Sequence, residues 1–112
     1  MTEIFNGKYT RNELMKRVGS VNQLGGIKRY ELSEGMEKGV EVIEFRTGSG
    51  LTFRALPGRG MDISLAEFKG APLAWLSHTG EKAPEHFAPD GLGWLRSFFG
   101  GLLTTCGLTY MG

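Results

Sequence analysis

The chain has 112 residues, of which 40% are hydrophobic and 22% are charged, and its formal net charge is +1. This length predicts one domain or part of one, and the composition excludes a disordered chain. The near-neutral charge argues against nucleic-acid binding, which needs a basic surface to neutralise phosphates. The 18 glycines are the outlier, at more than twice the usual share of about 7%, and they predict a fold with many turns.

The first element in chain order is a short helix. Thr10 and Glu13 have the spacing of a capping box, with Thr10 as N-cap, and Tyr9 and Leu14 stand at the staple positions. Before this helix, residues 1–10 lack the apolar region of a secretory signal, and the single cysteine cannot form an internal disulfide. We therefore expect a cytoplasmic protein.

From residue 26 onward the pattern is that of a β protein. Apolar and polar residues alternate in short runs that are separated by glycine-rich and proline-rich turns. The predicted strands are residues 27–34, 40–46, 51–56, 61–68, 72–76 and 102–109. The alternation slips by one position between Val40 and Phe45, which predicts a β-bulge there. Regular short strands of this kind predict an antiparallel sandwich or barrel, and the polar stretch 78–93 predicts a long loop.

The C-terminal run, residues 97–112, contains no charged residue. It is too short and too rich in glycine, serine and threonine to cross a bilayer as a helix, so we expect no membrane association. An uncharged apolar strand at the end of a chain would expose an edge. Two explanations stay open: a homo-oligomer buries this run, or the β-sandwich continues beyond Gly112. We favour the second.

Two histidines, His78 and His86, lie near several carboxylates in the loop 78–93, but their spacing matches no zinc motif. Solvated loop residues are the better interpretation, and we expect neither a metal nor a cofactor. Among the C-terminal residues, Thr105 and Cys106 are candidates for lining a ligand cavity. A buried structural role for Cys106 is the simpler alternative, because no base stands close to it in the sequence.

Two pairs of residues, each containing an arginine, are candidates for binding. Arg59 and Asp62 flank a turn, where they either fix the turn by pairing with each other or present the guanidinium donors of Arg59 to ligand oxygens. Arg96 stands beside Trp94 at the start of the uncharged run. It either extends outward as a solvated residue or meets a sugar whose apolar face the indole ring covers.

Three runs of the sequence carry a resemblance: residues 50–63 (GLTFRALPGRGMDI), 69–75 (KGAPLAW) and 91–108 (GLGWLRSFFGGLLTTCGL). They resemble an uncharacterised bacterial family that is related to aldose 1-epimerases. The resemblance implies a partial galactose-mutarotase-type antiparallel β-sandwich, with residues 1–112 as the N-terminal part of one domain.

The same resemblance implies a small sugar as the partner and an isomerase that interconverts sugar anomers by acid–base ring opening. The acid and base of mutarotases match no residue of this chain, so we identify no catalytic residue. The expected substrate-binding residues are Arg59, Asp62, Trp94, Arg96, Thr105 and Cys106. Two alternatives stay open: a carbohydrate-binding or sensing module without turnover, and a small β protein that dimerises through residues 97–112.

Overall fold

The computed structural model describes residues 2–4, 7–86 and 88–104. The main element is a five-stranded antiparallel sheet in which every strand pairs with the next one along the chain. Its strands are β3 (Gly26–Glu31), β4 (Glu41–Arg46), β5 (Leu51–Leu56), β6 (Asp62–Phe68) and β7 (Ala71–Pro72). Two small antiparallel pairs accompany the sheet. They are β1 (Thr2–Ile4) with β2 (Gly7–Tyr9), and β8 (Trp75–Leu76) with β9 (Gly100–Gly101). The prediction of a mainly β fold is confirmed.

The predicted helix is α1, Arg11–Met15. The side chain of Thr10 accepts a hydrogen bond from the backbone N–H of Glu13 at 3.2 Å, which confirms Thr10 as the N-cap. Leu14 is the buried residue of this helix. The chain also forms short 3₁₀ helices at Val21–Gln23, Gly35–Glu37, Pro57–Arg59, Pro84–His86 and Gly91–Arg96.

The two faces of the sheet differ, because neighbouring residues along a strand point to opposite sides. One face carries Val42 and Leu56, both 0% exposed, and the core forms on this side with Val40, Ala83 and Phe99. We call it the core face. On the opposite face, Ile43 is paired with Ala55 and Phe45 with Phe53, and the two phenylalanine rings stack with centroids 4.8 Å apart. The sheet is therefore apolar on both sides.

Three strand predictions differ from the structure, and the first of them, 27–34, is β3, which ends three residues early at Glu31. The predicted strand 72–76 is divided between β7 and β8, because the backbone N–H of Leu73 bonds to Ala66 and the chain then leaves the main sheet to pair with β9. Within the described part of the predicted strand 102–109, residues 102–104, Leu103 forms a single bridge to Ile63, and the strand β9 lies just before it. Residues 105–109 of that prediction lie outside the described residues.

The predicted bulge in residues 40–45 is wrong. β4 pairs with both neighbours in regular register, and the irregularity lies between β5 and β6. Phe53 pairs with Ala66 and Ala55 with Ile63, so that Ser64 and Leu65 lie opposite the single residue Arg54. The extra residue lets buried Ser64 and buried Ala66 occupy opposite faces of one strand.

Candidate functional site

The site begins with the turn that joins β5 to β6. Pro57 opens the 3₁₀ helix Pro57–Arg59, and Gly60 ends it with φ 63° and ψ 30°. The backbone N–H of Met61 then bonds to the carbonyl of Leu56 at 3.1 Å, which closes the turn. Met61 itself has φ 61°, a left-handed conformation that costs a side-chain-bearing residue about 1–2 kcal/mol. This constrained turn fixes the positions of Arg59 before it and Asp62 after it.

Arg59 connects the turn to the C-terminal part of the chain. Its Nη2 donates a hydrogen bond to the carbonyl of Ser97 at 3.3 Å, and its guanidinium carbon lies 5.1 Å from the centre of the Phe99 ring. Phe99 is only 2% exposed, so this cation–π contact is held against the core. The guanidinium is a planar fork with five N–H donors, which suits it to binding several ligand oxygens at once.

Asp62 is the first residue of β6, where it pairs with Leu56 on the core face, and it is 6% exposed. A carboxylate this well buried is placed by the fold and does not sample many orientations. Asp62 and Arg59 are thus held by one turn, as the sequence predicted. The guanidinium of Arg59 is directed to Ser97 and Phe99.

Trp94 and Arg96 lie in the 3₁₀ helix Gly91–Arg96, and both are exposed. The Trp94 ring meets the edge of Phe98 at 5.6 Å with an interplanar angle of 75°. The helix approaches residue 88 so closely that a Cβ on Gly93 would lie 2.6 Å from the carbonyl oxygen of Ala88. The helix ends at Arg96, so Trp94 and Arg96 lie just before Ser97, which Arg59 contacts.

The last two predicted residues, Thr105 and Cys106, lie outside the described residues. The chain just before them runs alongside the start of β6. Ile63 donates its backbone N–H to Leu103 and accepts one from Leu102, both at 2.8 Å. Residues 102–103 are thus placed beside the strand that begins with Asp62.

Sequence reasoning missed the contacts that hold the segment 77–86. The hydroxyl groups of Ser77 and Thr79 both donate to the carbonyl of Phe98, at 2.6 and 2.8 Å. Glu81, with a side chain that is 11% exposed, lies 3.9 Å from Arg54 across the core face. The polar composition of this stretch predicted a loop. Nothing in the local sequence indicates that its hydroxyl groups donate to the carbonyl of Phe98, which lies about 20 positions further along the chain.

The two histidines belong to the same segment, 77–86. Half-buried His86 lies 3.5 Å from exposed Glu85, and His78 is exposed. Within residues 2–4, 7–86 and 88–104, no three His, Cys, Asp or Glu side chains are grouped in a way that could hold a metal ion. A cavity of about 510 Å³ lies elsewhere, between α1 and the ends of β3 and β4. Its lining includes Leu14 and Arg46 but none of the four predicted binding residues that the structure describes, Arg59, Asp62, Trp94 and Arg96.

We call Arg59, Asp62, Trp94 and Arg96 the Arg59 surface. Arg59 and Asp62 flank one turn, and Trp94 and Arg96 lie in the 3₁₀ helix that ends just before Ser97, which Arg59 contacts. Arginine remains protonated under all ordinary conditions, so neither guanidinium can serve as a proton donor or acceptor in catalysis. Guanidinium and indole groups are the kind of side chains that can hold a polar molecule with an apolar face.

Across the described ranges, no helix has the length and apolar composition that crossing a membrane requires. A comparison with protein families matches residues 37–112, about two-thirds of the chain, to a family described as a domain of unknown function, DUF4432. The chain belongs to this family. Neither the curated proteins nor the solved structures contain a match to it.

Proposed function

We propose that this member of the DUF4432 family binds a small carbohydrate at the Arg59 surface and takes part in the interconversion of sugar anomers. The observation that carries the proposal is the contact of Arg59 with Ser97 and Phe99. This contact brings the Arg59–Asp62 turn to the segment that presents Trp94 and Arg96. Sugars combine hydroxyl groups, which guanidinium and carboxylate groups bind, with C–H faces, which an aromatic ring covers.

The resemblance to relatives of aldose 1-epimerases supports the choice of reaction. In that reaction an acid protonates the ring oxygen while a base removes the proton of the anomeric hydroxyl, and the ring opens and recloses. Acid and base each contribute about 10²–10⁴-fold to the rate. In this proposal the Arg59 surface positions the sugar, and further strands that complete a β-sandwich supply the acid and base.

The apolar second face of the sheet supports the sandwich part of the proposal. Phe45 and Phe53 stack on it while remaining partly exposed, and Ile27 at its edge is 66% exposed. In a sandwich, such a face packs against a second sheet about 10 Å away. The described sheet would then form one layer of the mutarotase-type fold.

A binding module without turnover is the second candidate function, and the composition of the Arg59 surface favours it. Two arginines and a tryptophan hold a ligand but transfer no proton, and Asp62 supplies one carboxylate where ring opening needs an acid and a base. The two candidates share one binding site and differ in whether the bound sugar changes anomer.

Calorimetric titration with common aldoses tests sugar binding, which both candidates require. The unmodified chain is expected to bind at least one aldose, and Arg59→Ala to weaken it about 10–100-fold, as expected for loss of a charged hydrogen bond. The matched control is Arg29→Ala, which removes an exposed arginine of β3 and should leave sugar binding unchanged. Absence of binding to every aldose by the unmodified chain would refute both candidates.

Polarimetry with freshly dissolved α-anomers separates the two candidates. Acceleration of mutarotation by the protein, reduced in Arg59→Ala, supports the epimerase. Binding with an unchanged rate of anomer exchange supports the module. The measurement is repeated on any longer protein that contains this chain, since the proposal assigns the acid and base to further strands.

A further inference from the structure

The bulge between β5 and β6 brings polar side chains together on the core face. Arg54 lies on this face, because it is next to Ala55 on the opposite one, and it faces Ser64 and Leu65 across the ladder. Ser64 follows Ile63, the partner of Ala55, so it also points to the core face. Directly opposed side chains of neighbouring strands have Cβ atoms about 5 Å apart. Arg54 and Ser64 are therefore neighbours over the bulge.

Glu81 joins them from the segment that covers this face. Its Oε1 lies 3.9 Å from Nη1 of Arg54, too far for a hydrogen bond. The segment is held in place independently, because the backbone N–H of Ala83 bonds to Met36 at 2.9 Å and Thr79 bonds to Phe98. Arg54 is thus the neighbour of Ser64 across the bulge and of Glu81 on the covering segment.

One polar atom on each of these side chains is buried and lacks a hydrogen-bond partner among the described residues. The three atoms are Nε of Arg54, Oγ of Ser64 and Oε1 of Glu81. Ser64 is 0% exposed and the Glu81 side chain is 11% exposed. Buried polar groups in folded proteins almost always have a partner, in protein or in ordered water.

The three atoms are chemically complementary to a single water molecule. Nε–H of Arg54 only donates, Oε1 of the Glu81 carboxylate only accepts, and the Ser64 hydroxyl does either. A water that accepts from Arg54 and donates to Glu81 and Ser64 makes three hydrogen bonds, about the usual number for an internal water. We propose that Arg54, Ser64 and Glu81 bind one internal water molecule at the bulge.

This water has a structural consequence for the site. It links the covering segment, through Glu81, to the two strands that carry the Arg59–Asp62 turn between them. The link is separate from sugar binding, so the inference stands whether or not the Arg59 surface binds a carbohydrate.

A crystal structure of the unmodified 112-residue chain at about 1.5 Å resolution tests the proposal directly. The expected result is one ordered water within hydrogen-bond distance of Ser64 Oγ and of at least one of the other two atoms. A direct hydrogen bond between Arg54 Nε and Glu81 Oε1 with no water beside Ser64 would overturn the proposal. Water–protein NOE contacts to the Arg54 Hε proton provide the same test in solution.

The sign of a stability change gives a second test. With a bound water, Ser64→Ala removes one hydrogen bond of the network, and the equilibrium constant for folding is expected to fall about 5-fold. Ser33→Ala, at an exposed serine, should leave it nearly unchanged. An unchanged or increased folding constant in Ser64→Ala would show that the hydroxyl has no partner, and would contradict the proposal.

Coupling between variants adds the third test. If Ser64 and Glu81 share a water, the effects of Ser64→Ala and Glu81→Gln on the folding constant are not additive, and they differ from the sum by more than about 2-fold. Additive effects would show that the two side chains do not share a partner.

Discussion

Phe99 is the residue on which the attachment of the C-terminal segment depends most. It is 2% exposed, packs in the core with Val42 and Leu56, and carries the guanidinium of Arg59 over its ring at 5.1 Å. Truncating a buried phenylalanine to alanine costs about 3–5 kcal/mol through lost transfer free energy and the cavity left behind. Loss of the cation–π contact adds about 0.5–1 kcal/mol. Phe99→Ala is therefore expected to lower the free energy of unfolding by about 3.5–6 kcal/mol.

The adjacent Phe98 is the matched control. It is 38% exposed and contacts Trp94 edge to face, an interaction worth about 0.5–1.5 kcal/mol. Phe98→Ala loses this contact and part of a buried side chain, so it should cost about 1.5–3 kcal/mol, less than Phe99→Ala. Urea denaturation followed by far-UV circular dichroism measures both variants. With a slope of about 1–3 kcal/mol per molar urea, the Phe99 variant should unfold at a clearly lower concentration. Equal midpoints for the two variants would refute the placement of Phe99 in the core.

A double-mutant cycle with Arg59→Met isolates the cation–π contact. The coupling between Arg59→Met and Phe99→Leu is expected at about 0.5–1 kcal/mol. Additivity within experimental error would show that Arg59 is held at this position by Ser97 alone.

Three further predictions concern other parts of the chain. Gly100→Ala should lower the free energy of unfolding by about 1–3 kcal/mol more than Gly70→Ala does. Both glycines have φ near +85°, but a Cβ on Gly100 would lie 2.6 Å from the carbonyl oxygen of Trp75, whereas a Cβ on Gly70 would meet open space. Equal losses for the two variants in urea titrations would contradict this close approach. Burial raises the pKa of Tyr30 above its ordinary value of 10.0, with the nearby Glu44 carboxylate adding to the effect and Arg54 opposing it. The folded state therefore favours the neutral phenol, and this contribution to stability is complete below pH 10 and is lost as the pH rises through the raised pKa. Unfolding measured between pH 9 and 11 should show a loss of stability that is smaller in Tyr30→Phe. An identical pH dependence in Tyr30→Phe would contradict the raised pKa of Tyr30. Thr10→Ala should lower the stability of the chain by about 1 kcal/mol because the N-cap is lost, whereas Thr10→Ser keeps the hydroxyl and should have little effect. Hydrogen exchange of the Glu13 amide measures the change, and equal exchange rates in the two variants would contradict the cap.

The main sheet was largely predictable because its signals are local. β5 has the predicted bounds, and β4 and β6 each begin one residue later than predicted. Alternation and turn residues suffice for such strands, since their partners are the next strands along the chain. The hairpin of β1 and β2 was missed.

The features that local patterns could not predict depend on distant residues. The chain divides the predicted strand 72–76 because β8 pairs with β9, some 25 residues away in sequence. The apparent slip in residues 40–45 reflects a strand with apolar residues on both faces, and it misplaced the bulge. At the site, the turn with Arg59 and Asp62 was predicted, but the contact of Arg59 with Ser97 spans 38 positions. No pattern within either segment indicates that contact.

The order of strands in the sheet also determines how the chain folds. From β3 to β7 every strand pairs with its neighbour in sequence, so the sheet forms from a series of hairpins with short loops. The pairing of β8 with β9 requires closure of a much longer loop, and each doubling of loop length costs about 0.6 kcal/mol of chain entropy. Contacts that close long loops form late in folding. The Arg59–Asp62 turn is therefore formed with the early hairpins, and the contacts of Arg59 with Ser97 and Phe99 form only when the last segment docks.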